Sequence, residues 1–188
     1  ISQRPSATIA HASSLTFCQG ENVLLSANTG TGLTYQWRKD GVDIAGATGP
    51  TYLAEQSGSY TAVVKNAAGC PTISNALVAT AKPLPLATIS TPPTTTLCSG
   101  SNIVLNANVG TGLTYQWFRE GAIVSGATQA SYTVLQGGSY NVKVTNNGCT
   151  SASNNVTIVP ANPLLVSISA SSALCEGSSV TLTTVISN

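Results

Sequence analysis

Residues 30–37 read GTGLTYQW, and the same eight letters recur at residues 110–117. The similarity extends outward on both sides, and a shorter third copy begins at Leu174 with the letters LCEGSSVTLTT. Self-similarity at a fixed spacing indicates an array of like structural units. The predicted modules span residues 1–82, residues 83–162 and, for the incomplete third copy, residues 163–188.

Aromatic and polar side chains alternate inside the repeated stretch. Tyr35 and Trp37 share one face of an extended segment and Gln36 takes the other, because successive side chains of a strand point to opposite sides. Turn-forming pairs such as Asp40-Gly41 separate short runs of this kind, and no helical period of useful length is present. The pattern predicts an all-β protein. Its inward-facing core markers are Trp37, Tyr60, Trp117 and Tyr140.

Charged residues are scarce. The 188 residues contain 7 Lys and Arg against 6 Asp and Glu, which leaves a net charge of +1. Nucleic-acid binders usually carry a basic stripe, and none is present, so we predict no nucleic-acid partner. No run approaches the roughly 18 apolar residues that a membrane-spanning helix needs, so we predict no membrane insertion.

Residue types that carry chemistry are scattered. Asp40 and Asp43 lie close in sequence, but their counterparts in the second repeat are Glu120 and Ile123, so a paired-carboxylate site would be lost from one copy. The single histidine, His11, has no nearby cysteine or acid with which to form a zinc site or a catalytic triad. We therefore predict no catalytic residue, no metal and no cofactor, and hence a protein that is not an enzyme.

The residue order around each tryptophan resembles the immunoglobulin fold. The pattern Gly-x-x-Val-x-Leu-x-Ala precedes the first tryptophan, Lys-Asp-Gly follows it, and Ser-Gly-Ser-Tyr resembles a tyrosine-corner segment. The resemblance implies tandem immunoglobulin-like β-sandwiches, in which small residues replace the paired cysteines of antibody domains. It places strands B, C, E and F of the first module at residues 21–27, 35–38, 52–54 and 59–65.

A second resemblance is narrower. The pattern Leu-Cys-x-Gly-x-x-Val-x-Leu, followed later by Asn-Gly-Cys or Ala-Gly-Cys, is similar to the Ig-like and PKD-like repeats of large secreted proteins of gliding, polysaccharide-degrading Bacteroidetes. The resemblance implies a bacterial protein at the cell surface or in the medium. Its expected partners are neighbouring modules and a polysaccharide or cell-surface molecule. Because the chain begins at Ile1, we expect it to be a piece of a longer protein.

The five cysteines recur at matching places in the repeats, which favours disulfides and an oxidising compartment. One pairing stays within repeats and joins Cys18 to Cys70 and Cys98 to Cys149, with Cys175 left over. In the implied topology, however, Cys18 and Cys70 lie at opposite ends of one sandwich, roughly 20–25 Å apart, whereas a disulfide needs Cα atoms within about 7 Å. A bond between Cys18 and Cys149 is the alternative, and both pairings stay open at this point.

Two functions remain in competition. The favoured function is a non-catalytic structural spacer, stalk or cell-surface adhesion region, because near-identical repeats contain no chemical cluster. The alternative is a carbohydrate-binding accessory to a secreted polysaccharide-degrading enzyme, because sugars stack on exposed rings. Phe118 replaces Arg38 and is expected to point outward, and Tyr132 is expected to be half-exposed. These two aromatic residues are the candidate ligand contacts.

Overall fold

The structure is a computed structural model that describes residues 3–90 and 92–161, together with the backbone of residues 165–169 and 183–187. Cys175, and with it most of the predicted third module, lies outside the described residues. The chain divides into two compact units, which are described separately below. The first comprises Ile1–Pro85 and Asn146–Thr150, and the second comprises Leu86–Thr145 and Ser151–Asn188. The module boundaries predicted above stay a prediction.

Nine strands form two sheets in the first unit. One sheet has the order β1-β3-β6, and the other has the order β2-β9-β7-β4-β5, with β8 also paired to β7. The pair β2 and β9 is parallel, and the remaining pairs are antiparallel. The strands are β1 (Ile9–His11), β2 (Thr16–Cys18), β3 (Val23–Ala27), β4 (Thr34–Lys39), β5 (Val42–Asp43), β6 (Thr51–Ala54), β7 (Gly58–Lys65), β8 (Pro71–Ile73) and β9 (Leu77–Lys82).

The second unit repeats this order. Strands β11 and β14 form one sheet, the other has the order β10-β17-β15-β12-β13 with β16 paired to β15, and β18 pairs with β19 in a separate two-stranded sheet. An isolated bridge between Ile89 and Ala107 stands where β1 pairs with β3 in the first unit. The strands are β10 (Thr96–Leu97), β11 (Ile103–Asn106), β12 (Thr114–Arg119), β13 (Ala122–Ile123), β14 (Ser131–Val134), β15 (Gly138–Asn146), β16 (Cys149–Ala152), β17 (Val156–Pro160), β18 (Leu165–Ser169) and β19 (Thr183–Ser187).

This strand order defines the fold. In the first unit, a short sheet made of β1, β3 and β6 faces a longer sheet in which β2 runs parallel to β9, and β10 likewise runs parallel to β17 in the second unit. That arrangement is the immunoglobulin-like β-sandwich. No helix occurs among the described residues. The predicted all-β, immunoglobulin-like fold class is therefore confirmed.

Each sandwich is built around one tryptophan. Trp37 and Trp117 are both 0% exposed. Their indole nitrogens donate hydrogen bonds to the carbonyl oxygens of Gly49 (3.0 Å) and Gln129 (2.8 Å). The bond matters because an indole N–H buried without an acceptor would be costly. The alternation of side chains along β4 and β12 thus places each indole ring in the interior, and a loop carbonyl accepts the hydrogen bond of its N–H group.

The buried tyrosines lock the turn that precedes β7 and β15. The Tyr60 hydroxyl donates to the carbonyl of Gln56 at 2.9 Å, and the Tyr140 hydroxyl donates to the carbonyl of Gln136 at 2.7 Å. The tyrosine hydroxyl thereby provides a hydrogen-bond donor for the glutamine carbonyl where the backbone turns before the strand, as in the tyrosine corner of this fold. A second, half-buried tyrosine lies between this ring and the tryptophan, with ring centroids 5.7–5.9 Å apart in both units.

Asparagine side chains tie the first strand of each unit to the opposite sheet. Asn75 accepts a hydrogen bond from the backbone nitrogen of Ile9 at 2.8 Å and donates to the Ile9 carbonyl at 3.1 Å. The side-chain amide of Asn75 therefore makes the two hydrogen bonds that a backbone peptide group of a neighbouring strand would make. In the second unit Asn154 accepts from Ile89 at 2.9 Å and donates at the longer distance of 3.5 Å.

Candidate functional site

The disulfide of the first unit joins Cys18 to Cys149. The Cα atoms are 5.6 Å apart, and 131 positions separate the two cysteines in sequence. Cys70 and Cys98 carry free thiols. Of the two pairings that the sequence left open, the bond Cys18–Cys149 between the repeats is confirmed, and the pairing within repeats, Cys18–Cys70 with Cys98–Cys149, is wrong.

Topology explains why Cys18 does not bond to Cys70. In the parallel pairing of β2 with β9, Cys18 lies opposite Lys82, the last residue of β9. Cys70 directly precedes Pro71, where β8 begins. Strands β8 and β9 follow one another along the same side of β7. Eleven or twelve extended residues separate Cys70 from Lys82, which at about 3.3 Å each is roughly 36–40 Å. A disulfide cannot bridge that distance.

A tight turn presents the sulfur of Cys18. The backbone nitrogen of Glu21 donates to the Cys18 carbonyl at 2.9 Å, and the Glu21 carboxylate accepts from the Cys18 nitrogen at 3.0 Å. Gly20, with φ of 92°, supplies the left-handed conformation that such a turn requires. Cys18 is therefore held at the end of β2 by bonds to both of its backbone polar groups.

The partner cysteine follows a two-residue hairpin turn. Asn147 and Gly148, with φ of 50° and 85°, connect β15 to β16, and Cys149 is the first residue of β16. Positive φ at both central residues is the type I′ geometry that the pair Asn-Gly favours. The Lys82 ammonium group donates to the Asn147 carbonyl at 3.0 Å, so a second contact accompanies the disulfide. The sequence offered no signal for this contact, because its acceptor is a backbone atom.

A groove of about 540 Å³ lies in the second unit. Half-buried Tyr132 and the exposed side chains of Ile123 and Leu135 contribute its apolar walls. Arg119 also lines it, and its guanidinium group donates to the Gly137 carbonyl from Nε (3.1 Å) and Nη2 (2.6 Å). The cation is therefore held against the turn before β15 rather than free to reach a ligand.

The two candidate ligand contacts lie apart. Phe118 and Trp117 are neighbours on β12 and point to opposite faces of its sheet, since side chains alternate. Tyr132 packs on the inner side, with its ring centroid 5.7 Å from that of Trp117. Phe118 is half-buried, and the Lys143 ammonium nitrogen lies 4.9 Å from its ring centroid. The two rings cannot together form one flat platform for a sugar.

The acidic residues that were weighed as catalytic have structural partners. Asp40 accepts a hydrogen bond from the backbone nitrogen of Ser59 at 2.8 Å, and Asp43 forms an ion pair with Arg38 at 2.5 Å. Asp40 adopts a left-handed conformation with φ of 50°, and the Asp-Gly pair is a sequence signal for such a turn. This conformation places the Asp40 carboxylate over the start of β7.

Neither a metal-ligand cluster nor a membrane-spanning helix is found in the described part of the chain. The ring of His11 contacts the Ser13 carbonyl at 2.7 Å from Nδ1. No group of three or more His, Cys, Asp or Glu side chains that could hold a metal ion occurs among the described residues. None of the described residues belongs to a helix long and apolar enough to cross a membrane.

No protein-family model and no curated protein sequence matches the chain. Among solved structures it is similar to murine CEACAM1b, with 15% identity over 83% of this chain and 100% of that chain and a TM-score of 0.41. It is similar to an I-band fragment of titin at 12% identity, covering 85% and 66%, with a TM-score of 0.44. It is also similar to the N-terminal Ig1-2 module of the Drosophila receptor protein tyrosine phosphatase DLAR at 14% identity, covering 83% and 99%, with a TM-score of 0.36. At such identities and scores nothing about partners or activity follows, and the immunoglobulin-like assignment rests on the strand order and core of the chain itself.

Proposed function

We propose that this chain is a non-catalytic segment of an extracellular protein, in which consecutive immunoglobulin-like repeats serve as a covalently braced spacer, stalk or adhesion region. The observation that carries the proposal is the disulfide between Cys18 and Cys149, which joins residues of two repeats. Disulfides persist in oxidising compartments, which supports the extracellular setting. The bacterial origin and the module boundaries at residues 82 and 162 belong to the same proposal.

The bond has a mechanical consequence for a spacer. When tension is applied to the two ends of the chain, the force passes through the disulfide, and the residues between its cysteines carry none. The sequence separation of 131 residues corresponds to about 450 Å of extended chain, at about 3.5 Å per residue. A spacer braced in this way lengthens under load only through the residues outside the crosslinked loop.

Single-molecule force spectroscopy tests the proposal directly. We expect the oxidised chain, held by its ends, to extend only through the residues outside the crosslinked loop, and a thiol reductant to release about 450 Å more. The variant Cys149→Ser should show the longer extension without reductant. The variant Cys98→Ser, which removes a free thiol, should behave like the parent. Equal extension of the parent with and without reductant would refute the bracing role.

A non-catalytic role is supported by how the acidic side chains are used. Asp40 and Glu120 each accept a hydrogen bond from a backbone nitrogen, of Ser59 and Ser139 respectively. Asp43 is engaged by Arg38. A general acid or nucleophile needs a side chain that faces a substrate, and these carboxylates instead stabilise turns of the sandwich.

The carbohydrate-binding alternative has one observation in its favour. The groove of the second unit places half-buried Tyr132 beside the polar side chains of Glu120 and Gln136, and sugar sites combine a ring with hydrogen-bonding groups. A pull-down with insoluble polysaccharides decides the matter. Binding that is lost in Tyr132→Ala and retained in Phe118→Ala would place a sugar in the groove. Absence of binding to every polysaccharide would eliminate this alternative and leave the spacer.

A further inference from the structure

Two described cysteines remain free although their counterparts in the other repeat are bonded. Cys98 corresponds to Cys18, and Cys70 corresponds to Cys149, so the described residues contain one unpaired copy of each half of the observed bond. We propose that Cys98 and Cys70 are complementary halves of a head-to-tail junction. In this junction Cys98 of one copy of the chain bonds to Cys70 of a second copy, as Cys18 bonds to Cys149 within the chain. The inference rests on the proposed spacer function and extends it to assembly between copies.

The turn that holds Cys98 matches the turn that holds Cys18. Cys98 directly follows β10, which runs parallel to β17, as β2 runs parallel to β9. The Cys98 carbonyl accepts from the backbone nitrogen of Ser101 at 3.1 Å, where the Cys18 carbonyl accepts from Glu21 at 2.9 Å. Gly100 occupies the left-handed position with φ of 76°. Cys98 is therefore presented by a turn with the same backbone bond as the turn of Cys18, with Ser101 in place of Glu21 and its hydroxyl donating to the Cys98 carbonyl at 2.7 Å. The Cys98 side chain is exposed.

The hairpin that carries Cys70 differs by one residue but preserves the position of the cysteine. The backbone nitrogen of Asn66 donates to the Cys70 carbonyl at 3.3 Å, so these two residues face each other across the hairpin. The extra residue is absorbed in the turn, where the nitrogen of Gly69 donates to the Asn66 carbonyl at 2.8 Å. In both hairpins the cysteine directly follows a glycine with positive φ, of 80° at Gly69 and 85° at Gly148.

Bond formation requires an oxidant, for which a small disulfide such as oxidised glutathione suffices. The thiolate of Cys98 attacks one glutathione sulfur, which forms a mixed disulfide and releases one glutathione thiolate. The thiolate of Cys70 from a second copy then attacks the Cys98 sulfur and releases the second glutathione. The two cysteines lose two protons and two electrons in total, and one oxidised glutathione becomes two thiols.

A mixing experiment with two variants tests the complementarity. Both carry Cys175→Ser, so that only the two described free thiols react. One also carries Cys70→Ser and retains Cys98, and the other carries Cys98→Ser and retains Cys70. In a glutathione redox buffer we expect the mixture to yield a disulfide-linked heterodimer in at least tenfold excess over the homodimer of either variant alone. The Cys175→Ser chain, with both thiols, should form a ladder of higher oligomers on a non-reducing gel.

The outcomes separate this inference from the proposed function. Homodimers as abundant as the heterodimer, or no crosslink at all, would overturn the head-to-tail junction. Peptide mapping must show the Cys18–Cys149 bond intact in every variant, and far-UV circular dichroism must show unchanged β structure, so that misfolding is not mistaken for lack of complementarity. Failure of the mixture with that bond intact leaves the force experiment unaffected, because the latter depends only on the bond within the chain.

Discussion

The two repeats share their inner tryptophan and tyrosines and differ on one outer face. At the hairpin between β4 and β5, Arg38 forms an ion pair with Asp43. At the same place in the second unit, Phe118 faces Ile123 across β12 and β13. These strands carry the same Tyr-Gln-Trp sequence in both repeats, with the tyrosine and tryptophan on the inner side.

A third position changes together with these two. Val63 is only 7% exposed in the first unit, and its counterpart Lys143 holds its ammonium nitrogen 4.9 Å from the ring centroid of Phe118. Charged and apolar side chains have therefore exchanged places across the sheet. The aromatic positions of the core resist such exchange because they are close-packed, whereas the outer face of the sheet accommodates either arrangement. Each repeat can thus present a different surface on the same sandwich.

The largest expected effect comes from removing the shared core. Trp37→Ala and Trp117→Ala should each lower the free energy of unfolding of their own unit by about 3–5 kcal/mol, since each deletes a fully buried ring and leaves a cavity. Urea unfolding followed by circular dichroism measures the loss, and fluorescence of the remaining tryptophan reports on the unaltered unit. A loss of unfolding free energy below about 1 kcal/mol in only one repeat would show that the two cores are not equivalent.

High pH should distinguish the two tyrosine corners. Burial raises the pKa of Tyr60 above its ordinary value, and Tyr52 and Asp40 raise it further. Burial likewise raises the pKa of Tyr140, the nearby Arg119 lowers it, and Tyr132 and Glu120 raise it. Because the unfolded tyrosine ionises first, the stability that each corner contributes is complete below pH of about 10 and is lost as pH rises above it.

We therefore expect the first unit to lose stability more steeply than the second above pH of about 10. Thermal unfolding between pH 8 and pH 11 measures the two slopes. Tyr60→Phe should flatten the slope of the first unit while costing about 1 kcal/mol at neutral pH, because its hydrogen bond to the Gln56 carbonyl is lost. Equal slopes in the parent would show that Arg119 does not distinguish the corners.

The asparagine clamps should give a smaller and unequal loss. Asn75→Ala removes bonds of 2.8 and 3.1 Å to Ile9 and should cost about 1 kcal/mol. Asn154→Ala should cost less, because its second bond to Ile89 is 3.5 Å long. Hydrogen exchange at the amides of Ile9 and Ile89 measures both effects locally. Faster exchange in Asn154→Ala than in Asn75→Ala would reverse the expected order.

The outer-face exchange should have the smallest effect on stability. Asp43→Ala should cost at most about 0.5 kcal/mol at low salt and less at high salt, because the ion pair is partly exposed and screened. Ile123→Ala should show a similarly small change without any dependence on salt. Chemical unfolding at two salt concentrations measures both variants. A cost above 2 kcal/mol for Asp43→Ala would mean that this face is part of the core rather than free to vary.

The sequence predicted four strands of the first module and left out the others, among them β2 at a sheet edge and β9 beside it. Residues 21–27 and 59–65 were expected as strands, and β3 and β7 occupy Val23–Ala27 and Gly58–Lys65. Their alternation is clear because each has one face in the core. The short strand β2 carries no such pattern, because it is defined by its pairing with β9. Pairing depends on two distant segments, which no local window contains.

The candidate site divides in the same way. The cysteines were identified as disulfide residues from their recurrence, but recurrence alone favoured a pairing within each repeat as much as one between repeats. The aromatic residues Phe118 and Tyr132 were grouped by residue type, and the structure places them on opposite sides of one sheet. Residue type and spacing do not specify which face of a neighbouring strand a side chain meets.

The sequence by itself determined the interior of each sandwich, because alternation along a strand decides which residues can face inward and two copies of Trp and Tyr leave little choice. Only the tertiary structure decided which cysteines meet. A disulfide forms where two Cα atoms come within about 7 Å. Strand pairing holds Cys18 far from Cys70, whereas the Cα atoms of Cys18 and Cys149 lie 5.6 Å apart. Distance in space, rather than position in the repeat, selected the bond.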